Sequence, residues 1–162
     1  MTKTCSILCA LDSVGAKKEK EFKKETRQMK VKLLDSDSKF WKAKAQKVFN
    51  EFIRLRDKEF PCISCGKGAG VTGKWNAGHY HSVGARGDLR FNEDNCHKQC
   101  EYCNSYNSGN ILLYTPNLIL KIGQERFDVM VIAQIKNWRI DDYKRIYEEY
   151  KLKVKVLKNE QN

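Results

Sequence analysis

Between Ser38 and Phe60 the apolar residues Trp41, Ala45, Val48, Phe49, Phe52 and Ile53 recur at steps of three and four, with Lys42, Lys44, Lys47, Arg54 and Arg56 interleaved. That spacing predicts an amphipathic helix over 38–60, which Pro61 closes, with its aromatics in the core. Upstream, residues 1–37 form a basic arm. Its stretch 16–32 holds eight Lys or Arg against three Glu, and only Phe22, Met29 and Val31 as large apolar side chains. From 61 to 125 the pattern shifts to glycine-rich turns and short alternating stretches, the signature of a small strand-containing core. Residues 126–162 return to helical spacing, with helices predicted at about 124–136 and 141–157. Asp141 and Asp142 stand where they favour a helix start, and Tyr143, Ile146, Tyr147 and Tyr150 share one face that serves packing or a dimer surface. The fold class expected is α+β, a small core between long basic helices.

Charge sharpens this picture. The chain carries 31 Lys and Arg against 20 Asp and Glu, a net +11, which draws it toward a polyanion, nucleic acid by default. Most of the excess lies in the flanking arms and the central segment is nearly neutral. The N-terminal apolar run is too short for a secretory signal, and no stretch of about 18 apolar residues exists to span a membrane. A cytosolic protein is expected, in which thiols stay reduced.

In that setting the cysteines read as metal ligands. Cys62-Ile63-Ser64-Cys65 is followed after 34 residues by Cys100-Glu101-Tyr102-Cys103, two C-x-x-C pairs able to close tetrahedrally on Zn²⁺ with sulfurs about 2.3 Å away. A site with four protein ligands has no open coordination position, so this zinc is a staple and chemistry must come from elsewhere. Cys96 reads as a small core residue. Cys5 and Cys9 form a C-x-x-x-C pair without a second half.

All three histidines fall between the cysteine pairs: His79 and His81 in Ala-Gly-His-Tyr-His, and His97 in Asn-Cys-His-Lys-Gln-Cys. On an extended strand His79 and His81 point to one face, and a hairpin brings His97 near it. Such a cluster suits metal binding or general-base work.

A strand ending in His79, a loop, Asn95, and then Cys-x-x-Cys-Asn with Asn104 resembles the His-Asn-His endonucleases and the phage endonuclease VII group. The runs Phe-Asn-Glu-Phe-Ile-Arg-Leu-Arg-Asp, Pro-Cys-Ile-Ser-Cys, Ala-Gly-His-Tyr, Leu-Arg-Phe-Asn-Glu-Asp-Asn-Cys-His-Lys-Gln-Cys and Cys-Asn-Ser-Tyr-Asn-Ser-Gly-Asn look most like the lambdoid-phage NinG (Rap) family of recombination endonucleases. This resemblance implies a zinc-stapled ββα-metal core over 61–125 that cuts branched DNA, Holliday junctions and D-loops, in the host cytoplasm. It also implies roles. His79 would be the general base, Asn104 a ligand to a catalytic Mg²⁺ or Mn²⁺, and Asn95 the residue that orients the loop or His79. From sequence alone Asn95 reads equally well as a turn residue.

Many His-Asn-His enzymes carry an acid immediately before the base, and here that position is Gly78. His81 or His97 then becomes a candidate replacement ligand, tilting preference toward Mn²⁺; Asp88 and Asp94 stand nearby. Candidate DNA contacts are Arg86, Arg90 and Lys98 around the site and Lys17, Lys18, Lys20, Lys23 and Lys24 in the arm. Paired cuts at a two-fold junction favour a homodimer. The alternative from another class is a non-catalytic zinc module that binds branched or single-stranded DNA.

Overall fold

The computed structural model describes residues 7–68, 73–132 and 136–160, and side chains from Val14 onward. The backbone divides into two compact units, 1–40 and 41–162. The first is dominated by α1 (Ile7–Asp35), whose described side chains are almost all exposed. The basic arm is therefore one continuous solvated helix, with local support such as Lys23 reaching Glu19 one turn back. Cys5 lies outside the described residues and the Cys9 side chain is among those not described.

Asp37 starts the next helix by accepting the backbone N–H groups of Lys39 and Phe40 on Oδ1 (2.8 and 3.2 Å), an N-cap. This α2 (Ser38–Arg56) buries Ala45, Val48, Phe49, Phe52 and Ile53, the face that its spacing predicts. The second unit is built on a two-stranded antiparallel sheet, β1 (Trp75–His79) and β2 (Cys96–Cys100), with Gly78 opposite His97 and His79 opposite Cys96. On one face the sheet meets α2 and α5 (Ile140–Asn159) through Phe49, Phe52, Phe91, Cys96 and Tyr150. On the other it meets α3 (Ile111–Ile122) through Tyr114, which reaches Gly78 and His97, and α3 packs with α4 (Gln124–Val131) around Leu89, Leu118 and Met130. Tyr150 is buried against Phe49 and Phe52 of α2 and Tyr143 against Phe91 and Trp138, so that face of the last helix is core packing. Asp142 accepts the Arg139 backbone N–H (3.0 Å) at its start.

Residues 111–122 form a helix within a segment whose pattern suggests strands. Pro116 stands inside it, unable to donate to Leu112. The cost is reduced because Leu112 is exposed and the carbonyl it offers is open to water. α4 ends at Val131, short of the predicted 136. Among the described residues no helix is long and apolar enough to cross a membrane.

Candidate active site and cysteine metal centre

Cys62 and Cys65 come from the loop after α2, Cys100 closes β2, and Cys103 lies in the π-helical turn Tyr102–Tyr106 that follows. Their four sulfurs all lie within 4.8 Å of one another, and Cys65 and Cys100 are 3.8 Å apart. Four sulfurs about 2.3 Å from one zinc stand about 3.8 Å apart along a tetrahedron edge, so the spacing fits the ion. The sulfurs also receive N–H donors: Cys62 from the Cys100 backbone (3.3 Å), Cys100 from the Cys103 backbone (3.5 Å), and Cys103 from the Asn110 carboxamide (3.4 Å). Burial raises the Cys62 thiol and pushes Cys103 up to about 12, so a cation is what would hold them as thiolates. The four cysteines can hold a metal, and zinc suits this donor set.

Directly beside this centre, His79 at the end of β1 and Asn104 in the π-helical turn line one cleft of about 420 Å³, together with Tyr80, Ser82, Ser108 and Gly109. The His79 ring packs 6.2 Å from Phe49 of α2. Its Nε2 donates to the Arg90 carbonyl (3.0 Å), an acceptor only, which fixes the tautomer and leaves the lone pair on Nδ1. Nδ1 lies 3.6 Å from Cys96 Sγ and accepts from that thiol, a weak donor that binds it loosely. Burial lowers the His79 pKa, assisted by the Arg90 charge and opposed by its hydrogen bond to the Arg90 carbonyl. The imidazole is neutral at physiological pH. The Asn104 carboxamide nitrogen donates to Ser105 Oγ (3.3 Å), which leaves its oxygen as the donor atom for a cation.

The long connection between the strands is closed by Asn95, which is completely buried. Its Oδ1 accepts the His81 backbone N–H (2.8 Å), and its Nδ2 donates to the carbonyls of His81 (3.0 Å) and Leu89 (3.3 Å). The side chain thus ties the two ends of the loop together just beyond His79.

The other two histidines do not join the cleft. β1 ends at His79, so the alternation expected to carry His81 onto the same face stops before it. The His81 ring sits in the fields of Arg86 and Asp88, and burial first, then Arg86, lowers its pKa. His97 faces away from His79 because the register puts it opposite Gly78. Tyr114 donates its hydroxyl proton to the Gly78 carbonyl (3.1 Å), so His97 Nδ1–H must donate to Tyr114 (3.3 Å). Burial, with the Lys121 and Arg56 charges, holds His97 down at about 3. It is a neutral core histidine.

The nearby cations are also engaged within the fold. Arg86 grips Asp88 (2.9 and 2.7 Å) and caps the end of α4 by donating to the carbonyls of Met130, Val131 and Ile132. Lys98 donates to the Lys58 carbonyl (2.6 Å) and lies over the Trp75 ring. Arg90 donates to Gln46 Oε1 (3.0 Å). Asp94 pairs with Arg126. Of the expected DNA contacts, the arm lysines Lys17, Lys18, Lys20, Lys23 and Lys24 are the exposed ones.

Gly78 has a steric explanation. A Cβ there would sit 2.1 Å from Gln99 Oε1 and 3.0 Å from Gln99 Cβ and Cδ. Gln99 is fully buried and held by donating to Ser64 Oγ and the Gly109 carbonyl, both at 2.6 Å. It thereby ties the first cysteine loop to the left-handed run Ser108-Gly109-Asn110, whose φ values are 45°, 83° and 47°. The run includes two walls of the cleft, Ser108 and Gly109. Sequence reading passed over Gln99, and no local signal marks it. Asp57 was also passed over: it accepts Arg56 (3.0 and 2.9 Å), Lys121 (2.8 Å) and the Lys98 backbone N–H (3.0 Å), joining α2, α3 and β2.

Residues 4–160 match the family model described as Bacteriophage Lambda NinG protein. Over 121 residues the chain is 45% identical to Protein ninG of Escherichia phage lambda, covering 74% of this chain and 58% of that protein. Protein ninG of Escherichia phage 933W is 41% identical and that of Salmonella phage P22 40% identical, each over 74% of this chain and 59% of the relative. The chain therefore spans under two thirds of the length of these curated relatives. No solved structure matches it.

Proposed function

The chain belongs to the family of the bacteriophage lambda NinG protein, and from that premise we propose that it is a structure-selective DNA endonuclease of the His-Asn-His, ββα-metal kind, hydrolysing phosphodiesters in branched recombination intermediates such as Holliday junctions and D-loops. The observation that carries this reading is the meeting of His79 and Asn104 in one cleft, at the end of a strand, loop, strand and helical turn closed by Asn95 and anchored on four cysteines.

Hydrolysis needs an activated water and positive charge at the phosphate. His79 takes the proton of the attacking water on Nδ1, and the Arg90 carbonyl holds the ring in place and stabilises the imidazolium that forms. Asn95 keeps Arg90 and His79 in register by closing the loop that contains Arg90. Asn104 Oδ1 would be the protein oxygen that holds a catalytic divalent ion. Such an ion, Mg²⁺ or Mn²⁺, would offset charge on the scissile phosphate and the leaving oxygen. Among the described residues the cleft lining contains no carboxylate, so the uptake of either ion would depend on the substrate phosphates. The arm lysines would contact the backbone without reading sequence. Two copies would serve the paired strands of a junction.

The missing carboxylate is also what favours the second reading, a zinc module that binds branched DNA without cutting it. Incubating the protein with a labelled four-way junction, a D-loop and linear duplex, each with Mg²⁺ or Mn²⁺, separates the two. Cuts in the branched substrates are expected; binding with no cut in either ion supports the second reading instead.

A further inference from the structure

With Arg86 and Lys98 engaged inside the fold, the basic surface of residues 41–162 must lie elsewhere, and a groove between α2 and α5 supplies it. Lys44, Lys47 and Glu51 line it from α2, Lys151 and Lys158 from α5, over a floor of Val48, Tyr147 and Val154; its volume is about 390 Å³. Lys144 continues the row at one end, 5.3 Å from the Trp41 ring. The acids within it are outnumbered. Glu51 pairs with Lys158 (2.7 Å), and Glu148 lies 3.5 Å from Lys151 on the exposed rim. Lys47 is exposed and makes no ion pair among the described residues. Lys44 and Lys151 lie over the Tyr147 ring, at 4.4 and 5.5 Å, so the aromatic face steers their ammonium groups along the groove.

We propose that this α2–α5 groove seats the sugar-phosphate backbone of one DNA arm. The proposal rests on the DNA reading above and adds where the backbone lies. Packed helices run about 8 to 10 Å apart, so a phosphate in the groove is within reach of lysines from both sides. From Lys144 to Lys158 the row extends about 21 Å along α5. Phosphates rise about 3.4 Å per step along the duplex axis and stand farther apart along the strand itself, so the row accommodates fewer than about six of them. The cations that line the groove are all lysines, point charges on flexible stems suited to phosphates, so the contact is electrostatic and independent of sequence. α2 links it to the chemistry, because Phe49 on its buried face packs against the His79 ring.

Salt dependence of binding tests this directly, without requiring cleavage. Anisotropy of a labelled four-way junction is titrated with the full chain across a range of salt, for the parent, for Lys44→Ala/Lys47→Ala/Lys151→Ala, and for Lys58→Ala/Lys67→Ala/Lys74→Ala as an equal loss of charge elsewhere. Each phosphate contact contributes about 0.9 to the slope of log K against log salt. The groove variant is expected to lose between about 2 and 3 of that slope and at least tenfold in affinity, with duplexes of any sequence affected alike, and the control less than about 1. Should the triple variant not fold, as read by circular dichroism, Lys47→Glu alone is expected to lower the slope by about 1 or more. A groove variant with the parent's slope, or a control that loses as much, overturns the proposal, as does a parent that binds no DNA. A parent that binds through the groove but cuts nothing leaves the proposal standing and removes the endonuclease reading.

Discussion

Replacing Gly78 by alanine should be far more damaging than the loss of one hydrogen atom suggests. Gly78 has no positive φ, so the backbone itself accepts alanine. The difficulty is space, since the new Cβ would stand 2.1 Å from Gln99 Oε1. Gln99 cannot swing aside cheaply, because its Nε2 is committed to Ser64 Oγ and the Gly109 carbonyl at 2.6 Å each. Overpacking a core costs about 1–3 kcal/mol, and each hydrogen bond lost adds about 1 kcal/mol. Gly78→Ala should therefore cost about 2–5 kcal/mol. With a urea m-value of about 1–3 kcal/mol per molar, the unfolding midpoint falls by roughly 1 M or more. Gln99→Ala alone is destabilising because Gly109 and Ser64 lose their donor. The double variant removes the clash, so its loss should be smaller than the sum of the singles by about 1–3 kcal/mol. A Gly78→Ala midpoint equal to the parent's, or strict additivity in the cycle, refutes the packing explanation for the missing acid.

Asp57 is held down at about 2, against its burial, by Arg56 and Lys121. Its folded pKa lies below the unfolded value of about 3.9, so its contribution, about 2–3 kcal/mol, is present above that value and lost as pH falls through about 2. Asp57→Asn should flatten urea midpoints measured between pH 4 and 2, and destabilise at pH 7 by about 3–5 kcal/mol by stranding two cations. A parent and variant with parallel pH curves would count against this. Cys103→Ser should lower zinc content and melting temperature together; a variant that melts like the untreated parent, or a parent whose melting chelation does not move, shows that the cysteines hold no structural ion. Asn95→Ala breaks three buried hydrogen bonds and should cost about 3 kcal/mol while zinc content is retained. Cleavage should fall on the acid side of the ordinary histidine value of about 6.5 and be level at neutral pH, since burial lowers the His79 pKa and only the neutral ring accepts a proton; a profile still rising steeply at pH 8 would assign the base to another group.

Features written locally in the chain were legible in advance. The buried face of α2, the start of α5 at its aspartates, and the paired cysteines all follow from spacing over a few residues. Where the outcome depended on partners far along the chain, local pattern was insufficient. Arg86 looks like a phosphate ligand until α4 ends above it, 44 to 46 residues later. His97 looks like a second catalytic histidine until the register turns it toward Tyr114. The run from Ile111 fell inside the segment read as glycine-rich turns and short strands, yet its buried Tyr114 and Leu118 make it a helix in context. Gly78 reads as a missing ligand in one dimension and as room for Gln99 in three.

The central claim is that His79 activates water for phosphodiester hydrolysis. Single-turnover cleavage of a labelled four-way junction by the parent and by His79→Ala, with binding and zinc content measured on the same samples, tests it most directly. The account predicts that the parent cuts with Mn²⁺ or Mg²⁺, and that the variant binds the junction and retains zinc but loses cleavage by 100-fold or more, about the scale that a general base contributes. A variant that cuts at the parent's rate would contradict the role of His79, and a parent that binds without cutting would contradict the nuclease itself.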